Sequence, residues 1–225
     1  MGQLLRAAWL KILATCLILS WSLFCAAQAG KVENIGALTE SAVPEAVRSS
    51  LEAKGYRLTL DGAKPACELW LRKNVPSQAK KEIDGVAYPE LGESVLLGVI
   101  HFPEAASDFR GHSIPAGFYT LRYALMPDDG NHLGAAPNRD FVLAIPAGSD
   151  SDPAATFKLQ DLVGMSAKTA GTKHPAPLSL VPVDKPGSGS VAKDDQDHWI
   201  FSGTLKLASS DELPLGLIVK GTAQQ

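Results

Sequence analysis

Prolines set the length scale of this chain. Pro65, Pro76, Pro89, Pro103, Pro115, Pro127, Pro137 and Pro146 recur every nine to fourteen residues. A proline fixes φ and has no backbone N–H, so it ends a helix and is excluded from a central strand. Elements between these prolines are therefore short. Within them apolar and polar residues alternate, and no strand–helix–strand rhythm or internal repeat is seen. Short alternating runs with regular turn signals predict a sandwich or barrel rather than an α/β fold.

The strongest strand signal is Gly117–Leu125, with Tyr119, Leu121, Tyr123 and Leu125 on one face and Phe118, Thr120, Arg122 and Ala124 on the other. Aromatic, threonine and aliphatic residues at period two fit a pleated surface with one buried side. Ile114-Pro115-Ala116-Gly117 is a turn into it, and Pro127-Asp128-Asp129-Gly130-Asn131 is a cluster of turn formers after it. Phe141–Ile145 alternates again, which predicts an antiparallel pair joined by a long polar loop, Pro127–Asn138. Long loops between firm strands are common places for function.

Further strands are expected at Tyr56–Leu60, Ala66–Lys73, Leu178–Val183, His198–Leu207 and Leu215–Thr222, and at Val95–Phe102, whose nearly continuous apolar run predicts cover on both faces. Pro44–Lys54 reads as a short helix stopped by Gly55. Asp152-Pro153 reads as an N-cap and first turn of a second helix that Gly171 ends. Lys31–Glu40 reads as a loose segment, Val75–Glu93 as loop, and Asp184–Asp197 as a mobile loop. The expected fold is all-β and mainly antiparallel: a β-sandwich, Ig-like or jelly-roll-like, of about seven to nine strands with one or two short helices.

The first 29 residues read as a cleaved secretory signal peptide. Arg6 and Lys11 precede the apolar run Ile12–Ala27, and Ala27-Gln28-Ala29 is a small-x-small cleavage site. The run is short for a membrane span of about 20 residues. Removing it leaves 196 of the 225 residues, 30–225, enough for one substantial domain. It also takes two basic residues and no acid from the 21 Lys and Arg set against 24 Asp and Glu, so the net charge becomes −5. A mildly acidic chain with no basic cluster excludes a nucleic-acid or anionic-membrane surface. Of three cysteines only Cys67 remains, so no internal disulfide forms even in a periplasmic or extracellular setting, and Cys67 is expected as a buried apolar side chain.

Catalytic signals are thin. Gly111-His112-Ser113-Ile114-Pro115 begins like a nucleophile elbow, but Pro115 stands where a second glycine belongs and a strand follows instead of a helix. Ser77-Gln78-Ala79-Lys80 matches Ser-x-x-Lys without its companion motifs. No HExxH, P-loop, dinucleotide fingerprint or EF-hand loop occurs. A metal needs several ligands converging from His101, His112, His132, His174 and His198. The strand Gly117–Leu125, on the order of 30 Å long, separates His101 and His112 from His132. The candidate polar cluster is therefore Asp128, Asp129, His132, Arg139 and Asp140 on one loop, joined by His174 from another. The same residues also make sense as a solvated turn with surface ion pairs. No cofactor is predicted, and no motif requires a metal ion. His198 beside Trp199 is expected to pack where its strand begins, and Trp70 and Trp199 are core residues or, if exposed, a platform for sugar rings.

Several runs carry a resemblance. Gly55-Tyr56-Arg57, Glu68-Leu69-Trp70-Leu71-Arg72, Ile114-Pro115-Ala116-Gly117-Phe118-Tyr119-Thr120-Leu121-Arg122, Asp129-Gly130-Asn131-His132-Leu133-Gly134, Gly171-Thr172-Lys173-His174-Pro175-Ala176 and Asp197-His198-Trp199 resemble an uncharacterised family of secreted bacterial proteins. The Pro115–Leu121 element is similar to a P-x-G-x-Y-x-L strand in a broader group of secreted β-sandwich domains of unknown function. The resemblance implies fold and compartment and brings no catalytic residues. The sequence thus points to an exported, non-catalytic domain that binds a ligand or an envelope protein. The alternatives are a metal-dependent or hydrolytic enzyme around Pro127–Asn138, and an envelope assembly protein using an exposed sheet edge.

Overall fold

The computed structural model describes residues 29–128, 136–171, 173–185 and 187–223. The expected signal peptide lies almost wholly outside them. Twelve strands run in chain order: β1 Lys31–Ile35, β2 Gly55–Thr59, β3 Cys67–Leu71, β4 Leu96–Phe102, β5 Ala106–Ser107, β6 Ser113–Ile114, β7 Gly117–Leu125, β8 Asp140–Pro146, β9 Pro177–Val181, β10 Ser190–Lys193, β11 Trp199–Lys206 and β12 Glu212–Lys220. Among the described residues there are two α-helices, α1 Glu45–Ser49 and α2 Leu159–Ala170, and a 3-10 turn at Ala147–Ser149. All strands but β5 and β6, which form a small hairpin, join one sheet in the order β1-β2-β3-β4-β7-β8-β9-β12-β11-β10. Every pairing in it is antiparallel.

The fold is all-β and antiparallel with few helices, as the proline rhythm predicts. The sheet curls until its edges approach, a nearly closed barrel whose walls face each other across one core as sandwich layers do. Closure is local: Ala29 bridges Ala192, and Gly30 N donates to Val191 O at 2.9 Å. Inward side chains of the strands share one apolar cluster, among them Leu58, Leu69, Ile100, Tyr123, Val142, Leu180, Phe201 and Leu217. Each large aliphatic buried there contributes about 1.5–3 kcal/mol.

β7 and β8 pair as expected, Tyr119 opposite Pro146 and Leu125 opposite Asp140. β4 is covered on both sides: Leu97 and Ile100 face the main core, while Leu96 and Val99 join Trp70, Val47 and Leu51 in a second cluster. Gly98 sits at a bulge in β4 where any side chain would collide with Trp70 O. β7 departs from expectation. Thr120, Arg122 and Ala124 are as buried as the inward row, because residues after β8 fold back over that face.

Other corrections have local causes. Lys31–Ile35 and Ser190–Lys193 are strands, not loose segments. Their polar sequences carry little alternation, and pairing with β2 and β11 decides them. α1 is shorter than Pro44–Lys54 because Leu51 leaves the helix to bridge Arg72, and Glu52 N donates to Leu71 O. The second helix starts after Lys158 rather than at Asp152-Pro153. Asp152 instead caps a turn through Ala154 N, and its carbonyl accepts from Arg122. Gly171 ends that helix at φ +61°, as expected of a left-handed C-terminal glycine. No described helix is long and apolar enough to cross a membrane.

Candidate functional site

The loop end after β7 holds part of the expected polar cluster. Asp128 is exposed and lies 3.9 Å from Nη1 of Arg139. Arg139 is used locally: Nε donates to Met126 O at 2.9 Å and Nη1 to Asp84 O at 3.3 Å. Asp129 and His132 lie outside the described residues. Asp140 is fully buried and belongs to the core. Its carboxylate accepts Ala87 N at 2.7 Å, Tyr88 N at 3.0 Å and the Tyr123 hydroxyl at 2.6 Å, which pins the loop before β4 across the end of the barrel. Burial, then the neighbouring Asp140 carboxylate, pushes the Tyr123 phenol upward.

His174 is not at this end. Leu143 pairs with Pro177 and Phe141 with Ser179, so the chain before β9 runs toward the start of β7. There the His174 ring lies parallel to that of His112, centroids 5.8 Å apart and planes 4° apart. The structure thus separates His174 from Asp128, Arg139 and Asp140.

Two loops at the His112 end share one design. Asp108 Oδ1 accepts Arg110 N at 2.9 Å and His112 N at 2.8 Å, and Oδ2 stands 3.2 Å from His112 Nδ1. Asp194 Oδ1 accepts Gln196 N at 2.9 Å and His198 N at 2.8 Å, and Oδ2 stands 3.2 Å from His198 Nδ1. Each aspartate N–H donates to its histidine carbonyl at 2.9 Å. The residue before each histidine has positive φ, +84° at Gly111 and +66° at Asp197. The loops touch through the Phe109 and His198 rings, 5.3 Å apart. His198 is buried, with Nε2 3.1 Å from Thr222 O; His112 is partly exposed. The Asp-x-x-x-His spacing is visible in the sequence, but only the fold brings the copies together.

A second feature went unrecognised. A polar cleft of about 310 Å³ lies between β2, β3 and β11. Tyr56 and Leu71 contribute its apolar surface. The Lys54 Nζ stands 5.4 Å from the centre of the Tyr56 ring, and Glu52 pairs with Lys206 at 3.4 Å. The Thr204 hydroxyl donates to Gly187 O and accepts Gly187 N, both at 3.0 Å, fixing one rim. Glu212 adds a second carboxylate. No local run of the sequence marks this concavity, because its walls come from strands distant in sequence.

The remaining candidates have structural roles. Cys67 is buried, and burial pushes its thiol up to about 12, so it is an inert apolar group. Trp70 and Trp199 are buried, so neither offers a platform to sugar rings; Trp70 Nε1 donates to Gly36 O at 2.9 Å. Ser113 is exposed in β6 and leads into β7, without the strand-to-helix turn an elbow requires. Among the described residues no three His, Cys, Asp or Glu side chains are grouped to hold a metal ion. Comparison of the chain with protein-family models, curated proteins and solved structures gave no match.

Proposed function

We propose that the chain is an exported, non-catalytic binding domain that takes a small polar ligand in the cleft between β2, β3 and β11. The observation carrying this reading is the use made of the polar groups. The buried charged groups Arg122, Asp140, Asp150 and Asp108 direct their hydrogen bonds to the protein's own backbone and side chains. A catalytic group needs capacity left over for a reacting atom. The cleft instead presents charges of both signs beside an aromatic ring in a concavity at the lower end of ligand-site volumes. Export rests on the amino-terminal sequence and its resemblance to secreted proteins.

Thermal unfolding of the purified protein with free amino acids, dicarboxylates and neutral disaccharides tests the reading. A ligand present at about 100 times its Kd stabilises the native state by about 2.7 kcal/mol. That gain should vanish in a Lys54→Ala/Glu212→Ala variant, whose two side chains are exposed and carry no core packing. Stabilisation that persists unchanged in the variant would place the ligand elsewhere.

A further inference from the structure

The ligand that suits the cleft between β2, β3 and β11 depends on the charges left over once its walls have paired. Lys54, Lys206, Glu52 and Glu212 line it, so the cleft as a whole is neutral. Glu52 and Lys206 neutralise each other, Oε1 to Nζ at 3.4 Å. Glu212 stands opposite Lys206 in the β11–β12 register, yet its carboxylate has no ion-pair or hydrogen-bonding partner among the described residues. The Lys54 ammonium meets only the Tyr56 ring, at 5.4 Å. One cation and one anion are therefore left in a single concavity. A dicarboxylate or a diamine would set one of its charges against its like. A sugar ring finds no platform either. Lys54 lies over Tyr56, the Phe201 ring packs against it with centroids 5.1 Å apart, and a Cβ at Gly189 would strike its edge. Tyr56 is left 4 % exposed.

We propose that this cleft, taken as the binding site, holds a small zwitterion. The ligand carboxylate accepts from the Lys54 ammonium, the ligand ammonium donates to the Glu212 carboxylate, and a short aliphatic body lies against Leu71 and the Tyr56 edge. Both polar contacts are charge-assisted hydrogen bonds, the stronger kind. Within a concavity walled partly by apolar side chains they are screened less than the same pairs on an open surface. Lys54 and Glu212 are both exposed and flexible at their tips, so the pair can serve the adjacent charges of an α-amino acid or the separated charges of an ω-amino acid. The Glu52–Lys206 pair stays closed and forms the polar wall beside the ligand.

Calorimetric titration of the purified protein at neutral pH with L-leucine, whose charges are adjacent, and with 6-aminohexanoate, whose charges are separated, is the test. At least one should bind, and the tighter of the two reads out the charge spacing. Analogues that keep one charge should bind about tenfold or more weakly: leucinamide and hexylamine lack the carboxylate, N-acetyl-leucine and hexanoate the ammonium. Lys54→Gln should erase the penalty for losing the carboxylate, and Glu212→Gln the penalty for losing the ammonium. Both variants should melt with the wild type, because neither side chain packs in the core. Binding of neither zwitterion overturns the proposal, and so do single-charge analogues that bind as tightly as their parents. Should succinate or maltose bind instead and be lost in Lys54→Ala/Glu212→Ala, the cleft stands as the site and the zwitterion alone falls. A zwitterion held equally by the wild type and both variants removes the cleft as well.

Discussion

Arg122 and Asp150 face each other as a fork, Nη2 to Oδ1 at 2.7 Å and Nε to Oδ2 at 2.8 Å, with neither side chain exposed to solvent. The remaining guanidinium hydrogens go to the carbonyls of Ser94, Asp152 and Ala155. Thr120 Oγ1 donates to the same carboxylate at 2.7 Å. One arginine on β7 thus ties down the segment between β8 and α2. Arg122→Met strands a buried carboxylate and should cost about 3–5 kcal/mol. Arg122→Met/Asp150→Leu should recover part of that loss in urea unfolding. A single variant within about 1 kcal/mol of wild type would mean that water reaches the carboxylate.

Alkali should act on the tyrosines. Burial pushes Tyr88 up to about 12, and Tyr119 and Tyr123 are raised as well, again first by burial. An unfolded tyrosine ionises near about 10. The native state therefore holds these protons more tightly than the unfolded chain does. Their stabilisation is complete below about pH 10 and is lost as pH climbs through the native values. Phenolate absorbance from these residues should rise together with unfolding. Tyr123→Phe should reduce the steepness of the alkaline transition, and ionisation ahead of unfolding would contradict it.

Acid should act through Glu68. It sits in a row across neighbouring strands, with Arg57 on one side and His101 on the other, and His101 in turn stacks on Phe118 at 4.1 Å. Burial opposes the Glu68 charge, but hydrogen bonds from Arg57 and His101 outweigh it and hold the carboxyl below its ordinary value. The resulting stabilisation is present above the unfolded carboxyl range and disappears as pH falls through the native value. Glu68→Gln should be less stable than wild type at neutral pH, and the two should converge in acid. A gap that stays constant with pH would assign the loss to packing.

The pieces legible in the sequence are those where local chemistry and burial agree. Gly117–Leu125 is a strand by composition and by position, Val95–Phe102 is apolar because both its faces are covered, and Gly171 ends a helix because only a left-handed residue can. The two edge strands were missed because exposed edges favour polar residues such as those of Lys31–Ile35, which blur the alternation. Arg122 reads as an outward polar residue in any period-two scheme, and its partner lies 28 residues away. The same holds for Asp140, which looks like part of a surface cluster until Tyr88 and Tyr123 are seen to enclose it. The sequence groups His174 with the loop after β7, whereas it lies beside His112, because strand order is not written in strand chemistry.

Among the described residues of the chain from Gly30 onward, the sheet's two edges meet near Gly30 and Val191, residues separated by about 160 positions in the chain. Closing so long a loop gains few hydrogen bonds for the entropy it removes, so this contact should form late in folding. It should also be the first to open. Backbone amides along the seam should then exchange with solvent by a local movement of β1, while those of β4 and β7 wait for the whole molecule to unfold. A substitution at Gly30, whose Cβ would press on Val191 and Thr59, should speed that opening far more than it lowers the stability of the centre.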